Sequence, residues 1–237
     1  MTREFEIRRR IELPATPDQV WDAITSGTGG WLWPVEHEPR AGGATSEGGT
    51  ITAWDPPRHL ATRAEGENGW FNQVDFAIEG REWGAVLRYV HSGIFVAGWD
   101  DQYDAADSHT DLYLHTLGQY LRWFTGRTPT YVSVQGPPAS REANAFEVLR
   151  RGLGLAGQAA AGDAVRLEPR EVGPLDGVVD YLTPHFAGIR TANGLYRFFG
   201  RDAWGMPVAV ALHLFVPGVD PERTARAWSA WLEALFA

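Results

Sequence analysis

The side chains best suited to chemistry lie around His91, in the stretch LRYVHSG. Leu87, Tyr89 and His91 alternate and so share one face of a predicted strand. An imidazole at this position could act as a general base or anchor a ligand, with Tyr89 or Tyr120 as its partner. The alternative is a histidine that hydrogen-bonds the backbone at a strand end, before the bend at Gly93. We favour this alternative, because the sequence places no second acid or base beside His91.

Aromatic residues form a larger candidate site. The predicted ligand-binding residues are Trp31, Trp33, Trp70, Phe76, Trp83, Tyr89, His91, Tyr113, Leu117 and Tyr120. Ligand pockets are mostly apolar with few polar groups, and this set could line one. Alternatively the rings fill a core, since each buries about 150–250 Å². Because Gly29 and Gly30 give a permissive backbone, we expect Trp31 and Trp33 to pack at a lid or entrance.

Metal and cofactor sites are not predicted. Asp100, Asp101 and Asp104 lie close together in GWDDQYD but lack the Gly-and-Glu frame of a calcium loop, so we expect a solvated approach to a helix. His109 and His115 are not at zinc-ligand spacing, and His115 is expected at the rim of a helix stripe. The chain contains no cysteine and therefore no disulfide or thiolate nucleophile.

Composition and net charge limit the classes of partner that the protein is expected to bind. The 237 residues carry a net charge of −9, and all 21 basic residues are arginines. This balance disfavours nucleic acid and anionic membrane surfaces, which need cationic patches. No apolar run approaches the ~20 residues of a membrane span, and the charged N-terminal segment lacks the apolar stretch of a signal peptide. We therefore expect a cytoplasmic protein with a small-molecule partner, whose oligomeric state the sequence leaves open.

The first half of the chain predicts a strand, a short helix, a sheet and a long helix. Thr16, Pro17 and Gln19 have the spacing of a capped helix start. The strands that follow are GGTITAWD, RHLATRAE, GWFNQVDFAIEG and REWGAVLRYVHSGIF, in an antiparallel meander. The long helix is expected to begin at Asp107 or Ser108 and to end at Gly126.

The second half repeats this order in a less regular form. One strand, a helix, several strands and a helix capped by Asp220 follow one another. The predicted strands include AVRLEPREV and, as one segment, GVVDYLTPHFAGIRT. We therefore predict two domains, residues 1–126 and 127–237, the second an α+β extension whose order of elements suggests a reduced, partial copy of the first.

Several strings resemble those of START-like (SRPBCC) proteins. EFEIRRRIELPATPDQVWDAIT resembles their opening strand and helix. GGTITAWDPPRHLATR and LRYVHSGI resemble segments of the branch homologous to the activator of heat-shock-protein-90 ATPase, and the likeness covers residues 4–125. The resemblance implies an α+β helix-grip fold, in which a curved antiparallel sheet wraps around a long C-terminal helix.

The same resemblance implies a function class. Family members include lipid carriers, plant-hormone binders and polyketide aromatases or cyclases, and the resemblance implies an apolar cavity between sheet and helix that can hold a small molecule. Our first expectation is a non-enzymatic protein that binds a small hydrophobic or aromatic molecule. The first alternative is a polyketide cyclase/aromatase-like enzyme using His91 and a pocket tyrosine. The second is a protein-interaction or co-chaperone-like module docking through the C-terminal half, which predicts a large exposed apolar patch.

Overall fold

Two units make up the chain, residues 1–126 and 127–237. The structure is a computed structural model that describes residues 3–95, 99–155, 157 and 159–237. Each unit has its own antiparallel sheet and its own helices.

The first unit has five strands and two helices among its described residues. In chain order they are β1 (Arg3–Leu13), α1 (Pro17–Ile24), β2 (Thr50–Asp55), β3 (His59–Glu65), β4 (Phe71–Arg81), β5 (Gly84–Phe95) and α2 (Trp99–Trp123). The strands pair antiparallel in the order β1-β5-β4-β3-β2. The first strand thus lies beside the last, and the long helix follows the last strand, which confirms the predicted helix-grip fold class.

Helix α1 begins as the sequence predicts. Thr16 caps it by accepting a hydrogen bond from the backbone of Gln19, and the Gln19 side chain accepts one from the Thr16 backbone in return. This reciprocal pair satisfies two backbone donors that a helix start leaves open. Val20, Trp21 and Ile24 form the buried face of the helix.

Helix α2 begins eight residues earlier than the sequence analysis predicts, at Trp99. Asp107 and Ser108 therefore lie inside the helix, and the expected helix start at these residues is wrong. Asp100 and Asp101 occupy the first turn, where a negative charge is stabilised by the helix dipole. The helix is followed by Gly126, whose positive φ of +77° suits a helix stop.

The second unit has six strands and two helices among its described residues. They are β6 (Thr130–Gln135), α3 (Ala145–Gly152), β7 (Ala164–Leu167), β8 (Leu175–Leu182), β9 (Phe186–Thr191), β10 (Gly194–Phe199), β11 (Ala209–Leu214) and α4 (Pro221–Leu235). The strand order is β6-β11-β10-β9-β8-β7. Here too the first strand pairs with the last, and a helix follows the last strand.

Three details of the second unit differ from expectation. The segment predicted as one strand from residue 177 to 191 forms two, β8 and β9, because its Thr183–Pro184 stretch makes a turn in which the Thr183 hydroxyl accepts from the Phe186 backbone. The strand predicted over AVRLEPREV stops at Leu167. With six strands against five, the second sheet is not reduced in strand number.

Aromatic side chains fill the core of the second unit. Trp228 of α4 is 1% exposed and packs against Tyr196 and Phe198 of β10, with ring centroids 6.0 and 5.8 Å away. Trp231 stands edge-on to Trp228 at 5.5 Å, and Phe146 of α3 joins the same core. The space between sheet and helix is thus occupied by the unit's own rings.

Candidate functional site

A cavity of about 440 Å³ lies in the first unit. One wall is the sheet, from Leu60 to Ala64 on β3, from Asn72 to Phe76 on β4, and at Tyr89 and His91 on β5. The opposite wall is the stretch of α2 from Ala106 to Leu114. Residues from the long connection between α1 and β2 complete it, namely Thr28, Trp31, Leu32, Trp33, Val35, His37, Thr45, Glu47 and Gly49.

The segment that carries Trp31 and Trp33 is held by hydrogen bonds at both ends. The Trp31 indole nitrogen donates to the Ala23 carbonyl at 2.9 Å, and Trp31 is 3% exposed. The Thr28 hydroxyl accepts from the Val35 backbone nitrogen at 2.8 Å. These bonds fix one indole inside the wall, while Trp33, 37% exposed, lies at the edge of the cavity.

An aromatic row on α2 faces this segment. Trp33 and Tyr113 meet edge-to-face at 5.7 Å, and His109 lies 5.9 Å from Tyr113. His109 Nδ1 is 2.7 Å from the Ala105 carbonyl, which makes Nδ1 the donor. From the sequence, His109 is considered only as a zinc ligand together with His115, and its place in the cavity wall is not predicted.

On the sheet wall, Phe76 and Tyr89 are neighbours with ring centroids 5.3 Å apart. Burial raises the pKa of Tyr89 to about 12, an effect that the neighbouring Thr110 side chain partly offsets. The Thr110 hydroxyl donates to the Ala106 carbonyl at 2.8 Å. The Tyr89 hydroxyl is therefore neutral at physiological pH.

His91 lies on the same wall with Asn72 as its partner. Its Nε2 is 3.3 Å from Oδ1 of Asn72. The imidazole ring also stands edge-on to the ring of Phe5, with the two centroids 4.9 Å apart. Burial lowers the pKa of His91 to about 4, so the ring is neutral at pH 7. Thus His91 bonds a side chain of the cavity wall, where the favoured expectation was a backbone partner.

Three further polar cavity residues were missed by the sequence analysis. Nδ1 of His37 is buried and makes no hydrogen bond with the part of the chain that the structure describes. Burial lowers the pKa of His37. The second residue is Arg63, which bonds Glu65 at 2.7 Å and Gln73 at 3.1 Å, so its charge is compensated. The third polar residue of the cavity wall is Glu47. His37 and Glu47 lie in loops, which show no periodicity that could reveal their direction.

Six of the ten predicted ligand-binding residues lie together in the cavity wall. They are Trp31, Trp33, Phe76, Tyr89, His91 and Tyr113. The other four lie elsewhere. Trp70 and Trp83 lie at the two ends of β4: Trp70 packs over the turn at Gly66, and Trp83 is 54% exposed in the turn before β5.

Leu117 and Tyr120 lie further along α2, where the space between helix and sheet is filled. Leu117 is fully buried. Tyr120 packs so closely on Gly30 that a Cβ added there would lie 2.6 Å from its ring. This contact joins α2 to the turn that follows α1, and Tyr120 does not border the cavity in which His91 lies. His115 borders a separate groove between β1 and α2.

No group of three potential metal ligands comes together in the described ranges. In the same parts of the chain, every helix is too short or too polar to span a bilayer.

Among known proteins, the chain is similar to several solved structures. No protein-family model and no curated protein matches the chain. Among solved structures, CalU16 from Micromonospora echinospora is 21% identical over 51% of this chain and 86% of its own, with a TM-score of 0.40. The Aha1 dimer from Colwellia psychrerythraea is 18% identical over 49% of this chain and 96% of its own, with a TM-score of 0.39.

DynU16, from the dynemicin biosynthetic locus, is 18% identical and is matched over 97% of this chain and 96% of its own, with a TM-score of 0.43. At these identities the likeness concerns the fold. The fold itself is read from the chain: the first unit has a five-stranded antiparallel sheet whose first and last strands pair, followed by a long helix. The first unit thus has the helix-grip architecture that the sequence resemblance implies.

Proposed function

We propose that the first unit binds a small apolar or aromatic molecule in the cavity between its sheet and α2. The observation that carries this proposal is the space of about 440 Å³ bordered by Trp31, Trp33, Phe76 and Tyr113. Well-packed interiors leave few voids larger than a water molecule. Cavities of roughly 300–1,000 Å³ with apolar walls and a few polar groups are typical of small-molecule sites.

Binding without catalysis is favoured over a cyclase-like reaction. A general acid or base works best when its pKa lies near the working pH. Burial moves the pKa of His91 to about 4 and that of Tyr89 to about 12, in each case away from neutrality. The interaction-module alternative gives no reason for a cavity in the first unit, so the cavity favours binding over this alternative as well.

The test uses the full chain and N-phenyl-1-naphthylamine, an uncharged dye that fluoresces in apolar surroundings. We expect saturable binding that quenches tryptophan fluorescence, because two indoles border the cavity. Native mass spectrometry compared with the denatured mass would show an occupant that is carried through purification.

The Ala106→Trp substitution provides the matched variant. Ala106 borders the cavity from α2, so an indole there should fill the space and abolish dye binding. Ala106→Ser changes the same position without filling the cavity and should bind the dye as the unaltered chain does. Equal dye binding by the Ala106→Trp protein would refute the cavity as the binding site.

A further inference from the structure

Asn72 and His91 form a hydrogen-bonded polar pair on the sheet wall of the cavity. They extend from neighbouring strands, β4 and β5, with Oδ1 and Nε2 3.3 Å apart. Both residues line the cavity, next to Val74 and Tyr89.

The pair offers a ligand both a donor and an acceptor. If His91 Nε2 donates to Oδ1, then Nδ1 is left as an acceptor and the Asn72 amide has its N–H groups as donors. If the amide is turned and donates to Nε2, then Nδ1 carries the proton and Oδ1 accepts. Either arrangement leaves one donor and one acceptor, because the ring is neutral at pH 7.

Two other polar side chains of this wall already have partners. Arg63 bonds Glu65 at 2.7 Å and Gln73 at 3.1 Å. Tyr89 interacts with Thr110 of α2, whose hydroxyl donates to the Ala106 carbonyl. The amide of Asn72, by contrast, has more hydrogen-bonding capacity than its bond to His91 uses.

We propose that Asn72 and His91 are the specificity-determining residues of the cavity, and that they select an uncharged aromatic ligand with a hydroxyl group. A hydroxyl both donates and accepts, which matches the two functions of the pair. An ether oxygen only accepts, and a hydrocarbon would leave the remaining donor and acceptor of the pair without a partner. This inference rests on the proposed function.

The experiment compares 2-naphthol with 2-methoxynaphthalene by calorimetric titration of the full chain. The two probes share their ring system, and the methyl ether is the more apolar. A cavity without polar selection would prefer the ether, whereas the pair should make 2-naphthol bind about 3- to 10-fold more tightly. The measured ratio of the two affinities therefore reports on the pair itself.

Three variants localise the preference. Asn72→Leu and His91→Phe each remove one member with little change in size, and each should abolish the preference for 2-naphthol. Two variants are used so that one remains informative if the other does not fold. Ser92→Ala is the matched control, since Ser92 follows His91 on β5, lies outside the cavity wall, and should retain the preference.

The outcomes separate the two proposals. Loss of the preference in the folded pair variants, with retention in Ser92→Ala, supports the assignment. Equal or tighter binding of 2-methoxynaphthalene by the unaltered chain overturns it and leaves the cavity's binding function intact. A preference that survives both Asn72→Leu and His91→Phe also overturns it. If both naphthalenes and the apolar dye fail to bind, the proposed function falls, and this inference with it.

Discussion

The guanidinium of Arg9 donates to the carboxylate of Asp111 at 2.6 Å, which ties the first strand of the chain to the long helix of its unit. A second bond runs to Asp107, one helical turn earlier, at 2.8 Å. These two carboxylates raise the pKa of Arg9 above its ordinary value. Because Asp107 and Asp111 flank Thr110 on α2, the ion pairs hold the helix beside the cavity.

Replacing Arg9 by Leu should destabilise the first unit by about 1–2 kcal/mol, because two charge-assisted hydrogen bonds are lost at a partly exposed site. The loss should shrink at high salt, which screens the unaltered ion pairs. Urea denaturation at low and high ionic strength measures both effects.

The control is Arg8→Leu on the same strand. Arg8 bonds Glu6 two residues away, with 70% of its side chain exposed, and should matter little. Equal destabilisation by the two substitutions would contradict a clamping role for Arg9.

The stability of the first unit should fall as the pH drops from about 6.5 towards 4 because of His91. Its pKa is lowered from 6.5 to about 4 in the folded chain, so the unfolded state binds the extra proton in this window. The full difference corresponds to up to about 3 kcal/mol. Above pH 6.5 both states are neutral at this residue and the stability contribution is constant.

The measurement is urea denaturation at pH 7 and pH 5 for the unaltered chain and for His91→Phe. The variant should lose less stability between the two pH values than the unaltered chain does. The comparison removes contributions of other groups, including His37, whose pKa burial also lowers. Identical pH dependence in the two proteins would show that His91 is not buried in its neutral form.

Gly30→Ala should destabilise the first unit by about 1–3 kcal/mol through overpacking. The new methyl would lie 2.6 Å from the ring of Tyr120. In a Tyr120→Leu background the same substitution should cost much less, because the ring is gone and the two sites are coupled. A double-mutant cycle by thermal denaturation tests this, and additive effects would count against the contact.

Truncating Trp228 should mainly lower stability, whereas truncating Trp33 should mainly weaken ligand binding. Trp228→Ala in the filled core of the second unit should cost about 3–5 kcal/mol, since its side chain is 1% exposed. Trp33→Ala, at the edge of the cavity, should cost far less in stability but weaken dye binding. Paired denaturation and dye titrations check both, and a large stability loss in Trp33→Ala would show that this ring supports the core.

Local signals predicted the start of α1 but not that of α2. Thr16, Pro17 and Gln19 act on backbone groups within one turn, so their effect can be read from spacing. Helix α2 instead begins in an acidic stretch, in which Asp100 and Asp101 resemble a solvated loop unless the dipole of the helix is considered. Asp107 is suited to a helix cap by residue type alone, whereas its actual partner, Arg9, is 98 residues away in the sequence.

Strand alternation predicted the cavity residues in the middle of the strands and misplaced those at their ends. Phe76, Tyr89 and His91 share the concave face, as period two requires. The same pattern assigns Trp70 and Trp83 to that face, but both fall just outside β4 and β5, where turns redirect the side chains. Asn72 alternates with Phe76 and so shares its face of β4, but its bond to His91 depends on the register of β4 and β5.

The cavity beside α2 would make the stability of the first unit depend on the concentration of a ligand, if the proposed function holds. A molecule bound in the cavity of about 440 Å³ would then supply packing contacts that this space lacks. Under the proposed function, an occupant at 100 times its dissociation constant would add about 2.7 kcal/mol to the free energy of unfolding. The time for which the chain resists proteolysis would then increase with the concentration of that molecule.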